Sequence, residues 1–188
     1  MTKNEIRGGW ELLGDSAIDD FGIFRTRKSK RKNLKNGHAH DFFIMDGLNW
    51  AAVIGLTPKN EMVLVRQYRH GSEEYGLEFP GGCIENGEDP AIGAAREFEE
   101  ETGYRARDLQ LLGQVRANPA MMSMTCYYYL ARNVTLDGNV HLDPGEDIEV
   151  LLRPYDEVYQ MLARGEILHV IHVAALGLLA LRKDEFLP

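Results

Sequence analysis

Short apolar-polar runs separated by turn signals fill the first fifth of the chain, in GWELLGD, FGIFRTRKSKRKNL and HAHDFFIMD. Runs of this kind predict antiparallel strands, and Asn36-Gly37 between the last two is a strong hairpin signal. The expected product is a small N-terminal antiparallel sheet. WAAVIGLT and EMVLVRQYRH, joined through Pro58-Lys59-Asn60, carry the β-branched and apolar residues that suit a buried sheet. Further strands are expected at LQLLGQVRA, TCYYYLARNV and DIEVLLRP, while YDEVYQMLARGEI and HVIHVAALGLLALRK have helical spacing and length. The order is mixed strands with few helices, free of internal repeats, low-complexity tracts and long linkers.

With 188 residues, the chain suits one domain, or one domain with a small appendage, and can bury a real core. A formal charge of -8 disfavours a general nucleic-acid binder, although a small anionic substrate can still bind through a metal. The start, MTKNEIRGGW, lacks the apolar run of a signal peptide, and the longest apolar segment, Leu168 to Leu181, is short and adjoins or holds two histidines, His169 and His172. No membrane entry is expected. Two cysteines, Cys83 and Cys126, are too few for a disulfide framework and lack metal-site spacing, which points to packing thiols in a reducing cytoplasm.

The chemistry concentrates in GGCIENGEDPAIGAAREFEEETGY, where seven acidic residues stand between glycines. Asp89-Pro90 is a helix start and Gly103 a helix stop, so Pro90 to Thr102 is expected to be helical. On that helix Ala91, Ala94, Ala95 and Phe98 form an apolar stripe beside an acidic stripe of Glu97, Glu100 and Glu101. Like charges three and four residues apart destabilise a helix, a penalty that a bound cation reverses. Oxygen ligands select Mg²⁺, Mn²⁺ or Ca²⁺ over zinc, and Gly93 leaves room on the same face. A bare E-x-x-E-E is more often a solvated face; here Arg96 beside the acids and Glu88 in the preceding glycine-rich turn make the pattern far more specific.

Gly82, five residues, Glu88, seven residues and then Arg96-Glu97-Phe98-Glu99-Glu100-Glu101-Thr102-Gly103-Tyr104 resemble the Nudix box at every defining position. The resemblance implies an α/β/α sandwich around a mixed sheet and hydrolysis of a nucleoside diphosphate linked to another group. It further implies Glu97, Glu100 and Glu101 as divalent-metal ligands with the Gly81 carbonyl, Arg96 as the residue orienting the acids, and Glu88 as its structural partner. Mg²⁺ is the expected ion, with Mn²⁺ as the alternative.

Outside the box the chain resembles the ADP-ribose pyrophosphatase group, through VRQYRHG before LEFPGG, GEDIEV in a late loop, and DEVYQMLARGEI before an apolar terminal helix. That resemblance implies a homodimer, with residues 1–47 as the dimerisation segment and 48–188 as the hydrolase domain, and Phe24 or Trp50 as base-site aromatics, although core packing is the commoner role for such residues. Pro119 stands 16 residues after Gly103, as the group's substrate-loop proline does. The surrounding NPAMMSM departs from the group's Ser-Pro-Gly and glutamate, with Ala120 in the glycine's place, so the substrate class stays at ADP-ribose or a nucleoside diphosphate sugar. Glu146 matches the group's loop acid, a metal ligand or an activator of water, with Asp143 and Asp147 as weaker candidates. Arg66 and Arg69 read equally as a surface ion pair or, for Arg69, as a diphosphate contact. His169 and His172 read as satisfied rather than catalytic histidines, and the basic run RTRKSKRKNLK as a solvated hairpin strand. The competing readings are hydrolysis of dinucleoside polyphosphates or RNA 5′ ends, and a ligand sensor without turnover.

Overall fold

The computed structural model describes residues 6–186. Contacts gather the chain into two units, one running up to Leu48 and including Arg116–Met124, the other comprising Asn49–Val115 and the chain from Thr125 onward.

In the first unit, β1 (Ile6–Arg7), β2 (Trp10–Asp20), β3 (Phe24–Asn33) and β4 (Ala39–Gly47) pair antiparallel in that order. The β3–β4 turn closes through Gly37, whose φ of 72° is one that glycine adopts at little cost. The basic strand is partly neutralised inside its own sheet: Arg27 pairs with Asp15 at 3.1 Å and Asp46 at 2.5 Å, and Lys28 with Asp41 at 3.5 Å. Residues 116–124 join this unit through backbone bonds, the Met45 N–H donating to the Met121 carbonyl at 2.8 Å and the Ser123 N–H to the Met45 carbonyl at 3.1 Å.

The second unit is built on a mixed sheet. Its strands are β5 (Trp50–Leu56), β6 (Glu61–Arg69), β7 (Glu74–Glu78), β8 (Gly81–Cys83), β10 (Gln110–Val115), β11 (Cys126–Arg132) and β13 (Ile148–Pro154). The main path runs β10-β11-β5-β6-β13, and β5 and β11 are parallel. A separate short pair joins β9 (Tyr104–Arg105) to β12 (Thr135–Leu136). Strands β5 and β6 pair only at Gly55–Val63 and Leu56–Met62. Where they part, β8 pairs with Trp50–Ala52 of β5, and β7 pairs with the outer half of β6. This splaying brings the glycine-rich turn into the sheet.

Strand alternation divides the core between two faces. Ala52, Ile54, Leu64, Tyr128 and Leu130 pack with α2 (Tyr155–Ala163) and α3 (Val170–Leu181), whereas Ala51, Val53, Val63 and Tyr129 pack with α1 (Pro90–Thr102). The unit is therefore an α/β/α sandwich, with a last helical turn, α4 (Lys183–Phe186), after α3. Gly55 is what lets α1 lie close to the sheet, since a Cβ there would stand 2.4 Å from the Phe98 ring. Among the described residues no helix is long and apolar enough to cross a membrane.

Candidate active site

The caps of α1 fix where its side chains point. The Asp89 carboxylate accepts the Ala91 N–H at 2.8 Å, Pro90 follows, and Gly103 closes the helix at φ 70° with its N–H on the Glu99 carbonyl at 2.7 Å. Ala94 and Phe98 are buried against the sheet. Glu99 turns away from the acidic stripe and pairs with Arg105 at 3.2 Å.

Arg96 gathers Glu88, Glu97 and Glu100. Its guanidinium donates to Glu88 at 3.1 and 3.2 Å, to Glu97 at 2.8 Å and to Glu100 at 3.0 Å, and also reaches the Cys83 carbonyl at 3.2 Å. Glu88 in turn accepts the Glu85 N–H at 2.9 Å, so one ion pair ties the glycine-rich turn to the helix. Two glycines make the space. A Cβ on Gly82 would lie 2.4 Å from Glu97 Oε2, and one on Gly93 would lie 2.8 Å from Glu88 Oε2. Gly93 thus makes room for Glu88, not for the acidic stripe expected from helical spacing.

Glu101 is the most enclosed of the acids, 6% exposed, and its Oε2 accepts the Gly81 N–H at 2.8 Å. Burial, reinforced by the charges of Glu146 and Glu97, pushes its carboxyl up to about 8 despite that bond. Glu97 is raised by burial as well. The loop carrying Glu146 is tethered to α1 through the His141 N–H on the Glu100 carbonyl at 2.8 Å. Glu146 is folded into a turn across Pro144-Gly145, its carboxylate accepting the Asp143 N–H at 2.9 Å. Its charge is nevertheless felt by Glu97, Glu101 and Arg69.

The donor set here consists of oxygens, and burial with two neighbouring acids raises its most enclosed carboxyl. A hard divalent ion fits that chemistry.

Arg69 lies at the end of β6, beside a cavity of about 530 Å³ lined also by Gln67, Tyr75, Gly145 and Asp147. It makes a two-pronged pair with Glu78, at 2.8 and 2.5 Å. Glu78 is 2% exposed, and no strand was expected where it lies. Burial alone would raise its carboxyl; the bonds from Arg69 and His172, with His169 close by at 3.7 Å, outweigh burial and hold it far below the usual range. Arg66 pairs instead with Glu149 at 3.2 Å. Glu78, His169 and His172 each place a ligand-type atom within 4.8 Å of the others. That cluster is a hydrogen-bonded one rather than a cation site: the His172 Nδ1 accepts the Phe79 N–H at 3.3 Å, so its proton sits on Nε2 and points at Glu78. His172 is completely buried, a satisfied core histidine.

Of the expected substrate residues, Trp50 belongs to the second unit and Phe24 and Pro119 to the first. Trp50 packs edge-on against His172 and Tyr128 on the α2–α3 face of the sheet. Phe24 stacks on Phe21 in the first unit, and Pro119 lies in that unit's 116–124 segment.

Residues 48–174 match the NUDIX domain. The chain belongs to the Nudix family. It is 37% identical over 171 residues to the CMP-5'-(N-acetyl-N-hydroxy-3-aminopropyl)phosphonate hydrolase of Streptomyces rubellomurinus, covering 91% of this chain and 81% of that protein. It is 30% identical over 178 residues to the methanol dehydrogenase activator of Bacillus methanolicus, covering 92% and 96%. With the ADP-ribose pyrophosphatase of Bacillus subtilis it shares 28% identity over 168 residues, covering 89% and 84%. A solved ADP compounds hydrolase superposes with a TM-score of 0.83 over 97% of this chain and 98% of that one, at 21% identity, a likeness of fold. The chain is thus a Nudix hydrolase, resembling the ADP-ribose and ADP-sugar pyrophosphatases.

Proposed function

We propose that this Nudix hydrolase cleaves the diphosphate bridge of ADP-ribose or a nucleoside diphosphate sugar, giving a nucleoside monophosphate and a sugar phosphate. The observation that carries the reading is the gathering of Glu97 and Glu100 on the Arg96 guanidinium, on the same helix as the buried Glu101, with a second arginine, Arg69, lining a cavity. The ADP-ribose pyrophosphatase relatives support the substrate class.

Glu97, Glu100 and Glu101, with the Gly81 carbonyl, would hold Mg²⁺ or Mn²⁺. A bound divalent ion neutralises the diphosphate oxygens and acidifies water. Arg96 sets the rotamers of Glu97 and Glu100, and Glu88 fixes Arg96. Glu146 takes the proton of the attacking water; the water oxygen bonds to one phosphorus, the bridging P–O bond breaks, and the departing phosphate carries the bridge oxygen away. Arg69 donates to the diphosphate and keeps it over the acids. Pro119, Phe24 and Trp50 remain proposed substrate contacts. The exposed β2–β4 sheet is proposed as a homodimer face, and sedimentation showing a fully active monomer would exclude that. The thiols of Cys83 and Cys126, which form no disulfide, suit a cytoplasmic protein.

The Bacillus methanolicus relative, named as an activator of a dehydrogenase, favours a second reading in which the same site serves to regulate another enzyme. One panel separates the readings: ADP-ribose, GDP-mannose, UDP-glucose, dinucleoside polyphosphates and 5′-triphosphate RNA, each with Mg²⁺ and with Mn²⁺. Metal-dependent release of nucleoside monophosphate from ADP-ribose or a nucleotide sugar is the expected result. Turnover of none of these overturns the main reading.

A further inference from the structure

The Glu78 network ties Arg69, which the proposed chemistry uses, to Glu78 and His172, which it does not. Arg69 leaves both N–H groups of Nη1 outside its pair with Glu78, because the bonds to that carboxylate come from Nε and Nη2. The guanidinium also stands between two cavities, one of about 530 Å³ toward Gly145 and Asp147, the other of about 540 Å³ toward Leu168 and His169. Which way it faces is decided from behind. Glu78 Oε2 accepts from Arg69 and also from His172 Nε2 at 2.8 Å.

His172 has no freedom of its own. It is fully buried, its Nδ1 is occupied by the Phe79 N–H at 3.3 Å, and Trp50 packs against it with ring centroids 5.5 Å apart. Glu78 also depends on a gap in its own strand, since a Cβ on Gly76 would lie 2.9 Å from Glu78 Oε1. The chain Phe79 N–H, His172, Glu78, Arg69 is therefore a continuous relay from α3 through β7 to the cleft, in which each member fixes the rotamer of the next.

We propose that His172 is a positioning residue for substrate binding. Acting through Glu78, it presents the free edge of the Arg69 guanidinium to the diphosphate of the substrate. The pair Arg69–Glu78 is neutral as a whole, so what it offers the substrate is directed N–H donors rather than bulk charge, and direction is what the relay controls. The inference rests on Arg69 meeting the diphosphate, as in the proposed function.

Steady-state kinetics on the full chain with ADP-ribose and Mg²⁺ test it, each variant being assayed well below its own melting temperature. Arg69→Ala is expected to raise KM by about tenfold or more, the scale of lost charge-assisted bonds, with kcat changed less. His172→Leu is expected to raise KM roughly fivefold in the same way. His172→Gln, whose amide can still donate to Glu78, is expected to recover most of that loss. In the Arg69→Ala background His172→Leu should add nothing further, because its effect passes through the missing guanidinium. Gly76→Ala disturbs Glu78 without touching the buried histidine, and should likewise raise KM only when Arg69 is present, which keeps the test decisive if the His172 variant does not fold. An Arg69→Ala variant with parental KM would remove the diphosphate contact itself. If instead Arg69→Ala raises KM while the His172 and Gly76 variants keep parental KM, or add fully to it, the relay is structural packing and the inference fails.

Discussion

Glu78 and Glu101 stand on the same sheet-and-helix scaffold, both almost fully enclosed, and their carboxyls are shifted in opposite directions. Glu78 is answered by a guanidinium and an imidazole N–H, and its carboxyl is held far below the usual range. Glu101 has one backbone N–H and two neighbouring acids, and its carboxyl is pushed up to about 8. Burial is common to both; the number and sign of the partners decide the outcome. A satisfied carboxylate of the first kind holds other groups in place. The second kind is left short of positive charge by the protein itself, which is the condition a divalent cation relieves.

Substituting each glutamate by its neutral isostere should widen this contrast. The largest effect is expected for Glu101→Gln, a loss of kcat of about a hundredfold or more, read from initial rates with saturating Mg²⁺. Glu146→Gln comes next, lowering kcat at least roughly tenfold with little change in KM, because the loop acid lies outside the helix and acts on the reacting water. Full kcat in that variant across neutral pH would make Asp143 or Asp147 the acid to test.

Stability separates the two glutamates by sign. Glu78→Gln strands the Arg69 charge and should cost roughly 2 kcal/mol, discounted from the fully buried case because Arg69 is partly exposed. Glu101→Gln relieves like-charge crowding, and at pH 8 with chelator it should raise the melting temperature by about a few degrees.

The two glutamates also differ in their response to pH. The folded value of Glu101, about 8, lies above the ordinary 4.5, so the folded chain holds that proton more tightly than the unfolded one. Stability of the metal-free protein should therefore fall as pH rises from about 4.5 to 8, by at most about 1.4 kcal/mol per unit, and Glu101→Gln should flatten that slope. Glu78 behaves the other way. Its depressed value gives stability that is present above the ordinary carboxylate range and is lost only in strong acid. Melting curves from about pH 2 to pH 9 with chelator check both directions.

Much of α1 was legible in the sequence because its signals are local. Asp89-Pro90 and Gly103 cap the helix where they were expected to, and the spacing of Glu97, Glu100 and Glu101 put them on one side. The Asn36-Gly37 hairpin and the strands of the central sheet follow the same logic of short-range pattern. What escaped depends on contacts remote in sequence. Glu78 was visible only as an acid between apolar residues in YGLEFPGG, and its partners His172 and Arg69 come from a distant helix and a neighbouring strand. Gly93 was read by helical spacing alone, whereas the atom it accommodates belongs to Glu88 in the preceding turn. The seating of residues 116–124 on β4 rests on backbone bonds that no side-chain pattern announces.

Turnover of ADP-ribose as a function of Mn²⁺ concentration, at pH 6.5 and at pH 8, in the parent chain and in Glu101→Gln, tests the central claim most directly. The account predicts no turnover under chelation, activation at lower Mn²⁺ as pH rises because Glu101 must shed its proton to serve as a ligand, and near-zero rates in the variant at either pH. Turnover that persists under chelation, or a Glu101→Gln variant that matches the parent, would contradict it.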